Sequence, residues 1–317
     1  MKILYGIQTT GNGHINRSSI IIDKLKNLGY QVDILTSGDE NEIKIFDIKY
    51  RFDGLKLKYK NGRVDILNTI LSVKIFKLIK DVLSIKENYD LIITDFEPIS
   101  SLYSILKRKK SIGISNQVTL KKSKINFLFK LFIKYFSYSK YNIGYGYKED
   151  ENNDIFLPLI DENLLNKDIN DNKFYLVYLP YINIDTTINI LSKSNNRFKL
   201  YTKYTINSEY NNIEIYTISK EKFQEDLLNC SGIITSAGFS TTSEALYLNK
   251  KLYVIPIKSQ YEQESNSEIL NNMGVVTGEL SIENLEKFHL SSPIKWKWTD
   301  PTEKIIQKII EIYERKN

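Results

Sequence analysis

His14 is the side chain best suited to moving a proton. It is one of two histidines in the chain and ends the run Gly11-Asn12-Gly13-His14, with Arg17 one helical turn further on. An imidazole titrates near neutrality, so it can take a proton from a hydroxyl at physiological pH. Glycines ahead of a helix let the backbone approach an anion, which suits Gly11 and Gly13 to a phosphate. The spacing Gly-x-Gly-His is not the dinucleotide pattern Gly-x-Gly-x-x-Gly, and a tight turn with a helix-capping histidine reads the same way. Asp95 closes the apolar run Asp90-Leu-Ile-Ile-Thr-Asp95 and precedes Phe96-Glu97-Pro98. A carboxylate at a strand end can hold an imidazole in one tautomer. It can equally cap the next helix, and Asp95 with Glu97 has the spacing of a weak Mg²⁺ or Mn²⁺ site.

A second group lies in Gly232-Ile-Ile-Thr-Ser-Ala-Gly-Phe-Ser-Thr-Thr-Ser-Glu-Ala-Leu246. A strand here runs through small residues into a helix. The backbone N–H groups of Gly238, Phe239, Ser240 and Thr241, with the Ser236 hydroxyl, form a cradle for a diphosphate. Glu244, a turn or two into the helix, can bind a ribose diol. About ten residues past that helix, Gln260, Glu262, Gln263 and Asn266 offer donors and acceptors suited to sugar hydroxyls. The two segments in this order are more specific than either alone.

These residues need strand-end positions, and the hydrophobic pattern supplies them. Lys2–Ile7, Gln31–Thr36, Asp90–Asp95 and Ser111–Ser115 read as strands, and 15–28 as a helix stopped by Gly29. Apolar residues at three- and four-residue spacing predict one or two helices over 64–85. Polar runs at Lys148–Asp154 and Asn166–Lys173 interrupt the alternation. It then restarts with strands at 174–179, 198–201, 213–216, 232–235 and 252–256, and helices at 184–191, 223–228, 241–248 and 302–315. Strands separated by helices mean parallel sheets and an α/β fold. The expected domains are 1–155, a linker at 156–172, a second domain at 173–300 and a terminal helix at 301–317. Two doubly wound Rossmann-like domains bind ligands at the carboxyl ends of their strands.

Composition agrees with that size. The chain has 317 residues, 42% of them hydrophobic, enough for two cores. Cys230 is the only cysteine, so no disulfide can form within the chain, as a reducing compartment requires. No signal-peptide pattern and no run of 18 apolar residues is present, and the expected location is cytoplasmic. The net charge of +6 is uneven: residues 1–160 carry 26 Lys/Arg against 17 Asp/Glu, and Pro98–Lys148 has 11 cations and no carboxylate. Within that stretch, 119–141 interleaves lysines with Phe and Leu. It fits a basic amphipathic helix at an anionic membrane face, a core helix with solvated lysines, or a nucleic-acid contact.

The block Gly232–Gly274 resembles the nucleotide-sugar signature of GT-B glycosyltransferases with a family-28-type C-terminal domain. That group includes the lipid II N-acetylglucosaminyltransferase and the macrolide and plant UDP-glycosyltransferases. Asp90–Pro98, Ile114-Ser-Asn116-Gln117 and Tyr261-Glu-Gln263 extend the resemblance to both halves, in order, over roughly residues 1–280. It implies an inverting hexosyl transfer from a nucleotide sugar, with UDP the expected nucleotide, and neither cofactor nor metal. His14 is then the catalytic base and Asp95 its partner. Gly11, Gly13, Ser236, Gly238, Phe239, Ser240 and Thr241 bind the diphosphate and Glu244 the ribose. Gln260, Glu262, Gln263 and Asn266 read the hexose, while Asn12, Arg17, Glu97, Asn116 and Gln117 face the acceptor. The implied acceptor is lipid-linked at the membrane face; modified DNA is an alternative acceptor, sugar-nucleotide epimerisation an alternative reaction, and the assembly a monomer or dimer. Two departures stand out: Ser236-Ala237-Gly238 replaces His-Gly-Gly, which removes a histidine contact to phosphate, and Glu262 replaces an aspartate.

Overall fold

The computed structural model describes residues 1–9, 12–38, 47–54, 59–60, 63–64, 75–116, 138–204, 206 and 210–315. Two compact units divide the chain: 1–59 with 65–159 and 299–317, and 60–64 with 160–298.

The first unit is built on a seven-stranded parallel sheet. Its strands are β1 (Lys2–Gln8), β2 (Gln31–Ser37), β3 (Ile48–Phe52), β6 (Leu91–Asp95), β7 (Lys110–Ser115), β8 (Tyr141–Tyr145) and β9 (Ile155–Phe156). They lie in the order β3-β2-β1-β6-β7-β8-β9; the short strands β4 (Tyr59–Lys60) and β5 (Arg63–Val64) pair only with each other. The order reverses between β1 and β6, whose register pairs Ile7 with Asp95. A parallel sheet covered on both faces needs continuous apolar strands, and Ile3, Leu4, Ile7, Leu91, Ile92 and Ile93 are fully buried. The helices Asn12–Asn27, Ile75–Ser84, Pro98–Leu106 and Thr302–Glu314 complete the unit. The last of these places Ile305, Ile306, Ile309 and Ile312 inward.

The second unit has a six-stranded parallel sheet in the order β12-β11-β10-β13-β14-β15. These strands are β10 (Phe174–Tyr178), β11 (Arg197–Thr202), β12 (Ile213–Thr217), β13 (Gly232–Ser236), β14 (Lys251–Ile255) and β15 (Val276–Thr277). Here the order reverses between β10 and β13. Helices Ile184–Leu191, Lys220–Asn229, Phe239–Tyr247, Tyr261–Asn272 and Ile282–Leu290 flank it. Tyr175, Phe198, Tyr253 and Phe288 fill one side of the core with Ile188 and Leu191.

Several elements differ from the sequence expectation. Residues 261–272, expected in a loop, form a helix. Their composition is polar, and the helix is held by what Gln263, Asn266 and Leu270 bury rather than by an apolar stripe. The helix Ile282–Leu290 and strands β3, β8, β9 and β15 were not anticipated, whereas the helix Pro98–Leu106 follows Asp95 as the capping alternative required. Of 64–85, only β5 and the helix Ile75–Ser84 are described.

Candidate functional site

β1 and β6 deliver His14, Arg17 and Asp95 to one point. The loop after β1 leads into the helix Asn12–Asn27, so His14 and Arg17, three residues apart, share a helix face. Asp95 is the last residue of β6. Phe96 follows it with φ 52°, a left-handed conformation costing a bulky residue about 1–2 kcal/mol. That turn splits the two acidic residues. Asp95 faces Arg17 and His14, whereas the Glu97 carboxylate accepts hydrogen bonds from the backbone of Ile99 (2.9 Å) and Ser100 (2.6 Å) and from Ser37 Oγ (2.7 Å). Glu97, expected on the acceptor side, is fully buried and caps the helix Pro98–Leu106. Asp95 and Glu97 therefore do not converge on a common point where a divalent ion could bind both.

Asp95 is enclosed and heavily bonded. Arg17 Nε donates to Oδ2 at 2.7 Å, Arg17 Nη2 donates to Oδ1, and Ser18 Oγ donates to Oδ2 at 3.2 Å. Burial pushes this carboxyl up, but the Arg17 and His14 charges outweigh it and hold it at about 2. Arg17, also expected on the acceptor side, is thus turned inward as the clamp on Asp95, with the Tyr145 ring 5.7 Å from its guanidinium.

Two contacts compete for His14 Nδ1: Asp95 Oδ1 at 2.8 Å and Arg17 Nη2 at 2.7 Å. A guanidinium only donates, so the first needs a proton on Nδ1 and the second forbids it. Both contacts are charge-assisted, one through the carboxylate and the other through the guanidinium, so bond strength alone does not choose between them. Arg17 already donates to Oδ1, while the carboxylate gains a further donor if Nδ1 is protonated. The proton accordingly sits on Nδ1, facing Asp95, and Nε2 keeps its lone pair. The His14 side chain is 16% exposed. The arrangement can lift a proton from a hydroxyl and hold the resulting imidazolium beside a permanent negative charge.

In the second unit, the turn Ser236-Ala237-Gly238 joins β13 to the helix Phe239–Tyr247. Gly238 is the N-cap and contributes no side-chain cap. A Cβ built on it would meet nothing within 4 Å. Its φ of −70° is open to any residue, so neither packing nor conformation demands glycine there; the free space adjoins the positive end of the helix. Asn266 Nδ2 donates to Ala237 O at 3.0 Å, tying the following helix to this turn. Gln263 Oε1 accepts from Ile257 N at 3.0 Å and fixes the loop after β14. Two of the four residues expected to read a sugar therefore spend their side chains holding the backbone. Glu262 and Gln260 share the start of that helix, and Gln260 Oε1 is buried with no hydrogen-bond partner.

Glu244 is buried. Burial, with Asp161 adding and Lys220 offsetting only part, pushes its carboxyl up to about 8. Lys220 and Asp161 form an ion pair at 2.9 Å. Neither residue was singled out from sequence, since nothing in their spacing relates them to Glu244. A cleft of about 470 Å³ opens where the strand order reverses, lined by Leu179 and Ile182 after β10, Ser236 at the end of β13, Pro256 and Ile257 after β14, and Leu280. Its size and largely apolar lining suit a small-molecule site at a switch point.

Ser240 and Thr241 are half-buried on the first turn of their helix, beside buried Phe239, and Asn116 is buried just beyond β7. Gly13 lies in the first turn of the helix Asn12–Asn27. Gly11, Gln117 and the side chain of Asn12 lie outside the described residues, as does the basic stretch 119–141 up to 137. Its last residue, Tyr141, opens β8. No described helix is long and apolar enough to cross a membrane.

The model of glycosyl transferase family 1 matches residues 1–293. Comparison with curated proteins finds no match. Among solved structures, the fold is similar to that of the glycosyltransferase SnogD from Streptomyces nogalater (TM-score 0.56, 13% identity, 98% of this chain and 96% of that one). It is similar also to UGT89C1 from Arabidopsis thaliana complexed with UDP-L-rhamnose (0.61, 12%, 98% and 93%). LpCGTa in complex with UDP gives 0.64 at 9% identity, over 99% of both chains. At these identities the likeness is one of fold: two parallel sheets, each with the doubly wound order of the GT-B glycosyltransferases. With a family match over nearly the whole length, the chain belongs to glycosyl transferase family 1 and is a glycosyltransferase of the GT-B type.

Proposed function

We propose that this glycosyltransferase moves a hexose from a UDP-sugar to a hydroxyl acceptor, with inversion at the anomeric carbon and no metal ion. The observation that carries the reading is the 2.8 Å contact between His14 Nδ1 and Asp95 Oδ1, which leaves Nε2 as the base. His14 takes the acceptor proton as its oxygen attacks the anomeric carbon. The bond from that carbon to the diphosphate breaks on the opposite side, so configuration inverts. Negative charge gathers on the departing diphosphate, where the amino end of the helix Phe239–Tyr247 and the hydroxyls of Ser236, Ser240 and Thr241 stabilise it without a cation. Glu244 takes the ribose diol, and Gln260 and Glu262 face the hexose. Two structural neighbours were solved with UDP or UDP-L-rhamnose, which favours uridine in the donor. The acceptor reading, a lipid-linked hydroxyl, rests on the basic and apolar composition of 119–141.

The test is transfer and donor hydrolysis with UDP-, GDP- and dTDP-sugars, by wild type and His14→Ala, with and without a chelator. Chelator-insensitive turnover of a UDP-sugar, an inverted anomer by NMR and a His14→Ala protein that binds UDP but does not turn over are expected. A retained anomer, or an unimpaired His14→Ala enzyme, would overturn the mechanism.

A further inference from the structure

The first unit carries a concavity at the amino end of its strands β6 and β7. A pocket of about 460 Å³ is lined by Ser104, Arg108, Lys109, Lys110, Tyr138 and Lys140, among others. It lies where β7 begins, level with Leu91 at the start of β6. Asp95 stands four residues further along β6, about 13 Å at strand rise. The pocket is therefore separate from the His14–Asp95 group.

Four of its lining residues are cations, and none of the described residues lining it is a carboxylate. The cations come from two segments of chain. Arg108, Lys109 and Lys110 follow the helix Pro98–Leu106, where positive charge also complements the helix dipole. That explanation does not extend to Lys140, which precedes β8 and is held by its own N–H donating to Ser111 Oγ at 3.1 Å. Lys110 stiffens the floor: its Nζ donates to the carbonyls of Tyr313 (2.8 Å) and Arg315 (2.6 Å). Arg108 sits at φ 51°, a position just past a helix that usually goes to glycine or asparagine. The chain accepts a cost of about 1–2 kcal/mol to keep a side chain there. Of the pocket's lining residues, Ile105 and Tyr138 are exposed apolar side chains.

We infer that this pocket is a site for a phosphate group, with Arg108, Lys109 and Lys140 donating to its oxygens. A guanidinium and two ammonium-bearing side chains lining one concavity, with no carboxylate among its described lining residues, match a compact polyanion. The group can arrive on a soluble phosphate compound or on an anionic lipid, whose chains the apolar rim would meet. The inference does not rest on the proposed transfer reaction.

The experiment compares wild type, Arg108→Gln/Lys140→Gln and the charge-keeping Arg108→Lys/Lys140→Arg. Inorganic phosphate binding is titrated calorimetrically with UDP present and chloride at matched ionic strength. Flotation is run with phosphatidylglycerol–phosphatidylcholine vesicles and with phosphatidylcholine alone. Wild type is expected to bind phosphate about tenfold or more tightly than the neutralised variant, with the charge-keeping variant close to wild type. Because the readout is a difference between proteins, phosphate held elsewhere cancels. Flotation with phosphatidylglycerol that the neutralised variant loses assigns the group to a lipid; phosphate binding without flotation assigns it to a soluble compound. Equal phosphate binding by wild type and the neutralised variant, without a difference in flotation, overturns the site.

Discussion

Asp95 has four donor contacts and no exposure, so its replacement is felt first in stability. Asp95→Ala leaves the Arg17 charge buried without its partner, a loss of about 3–5 kcal/mol, and should lower the melting temperature by several degrees. His14→Ala removes the base while keeping the Arg17–Asp95 pair. Its turnover should fall about 10²–10⁴-fold with melting and UDP affinity near wild type; a parallel collapse of stability would mean that His14 is structural. Glu244 behaves in the opposite sense to Asp95. A buried carboxyl raised to about 8 binds UDP best when ionised, if it accepts from the ribose diol. UDP binding should therefore release a proton near pH 7 and tighten toward pH 9. Calorimetry in two buffers of different ionisation enthalpy measures that release, and Glu244→Gln should abolish it. His14 and Asp95 were legible in the sequence because each sits at a break in an apolar run. The clamp role of Arg17 was not: its spacing from His14 places it on the right helix face but does not say that the guanidinium turns inward.

The parallel strands and the turn after β13 could be read from apolar runs punctuated by small residues. The helix Tyr261–Asn272 could not, because Gln263 and Asn266 are polar residues buried by tertiary hydrogen bonds, invisible to periodicity. The same bonds make that helix a support for the turn after β13. Asn266→Ala should leave the Ala237 carbonyl without this donor, weaken UDP binding about tenfold and leave the His14–Asp95 group unaltered, which titration with UDP would report. In the first unit, a Cβ on Gly6 would stand 2.1 Å from Ser100 Oγ and 2.9 Å from Glu97 Oε2. Close contact between β1 and the helix Pro98–Leu106 depends on that missing atom. Gly6→Ala should destabilise by about 1–3 kcal/mol, as overpacking does, seen as a lower denaturation midpoint at unchanged slope.

For the molecule as a whole, the two carboxyls set opposite limits on stability against pH. Asp95 is depressed to about 2; its contribution is present above the ordinary carboxylate range near 4 and is lost as pH falls through 2. Glu244 is raised to about 8, so the folded state holds a proton that the unfolded chain has released. Its contribution is complete below about 4.5 and disappears as pH rises through 8. Melting temperature should decline between about pH 5 and 8, and Glu244→Gln should flatten that limb but not the acid one. A profile that Glu244→Gln leaves unchanged would remove this carboxyl from the explanation.

One unit closes late. Residues 1–59 and 65–159 share a body with 299–317, while almost all of the other unit lies in the unbroken run 160–298. A ribosome emits that run before the helix Thr302–Glu314, whose Ile305, Ile306, Ile309 and Ile312 complete the first core. The half that starts first must therefore wait for the half that starts second, holding an unfinished apolar surface while its neighbour matures. During synthesis at about 5–20 residues per second, that interval lasts roughly seven to thirty seconds, and it is the window in which the nascent chain would most need protection.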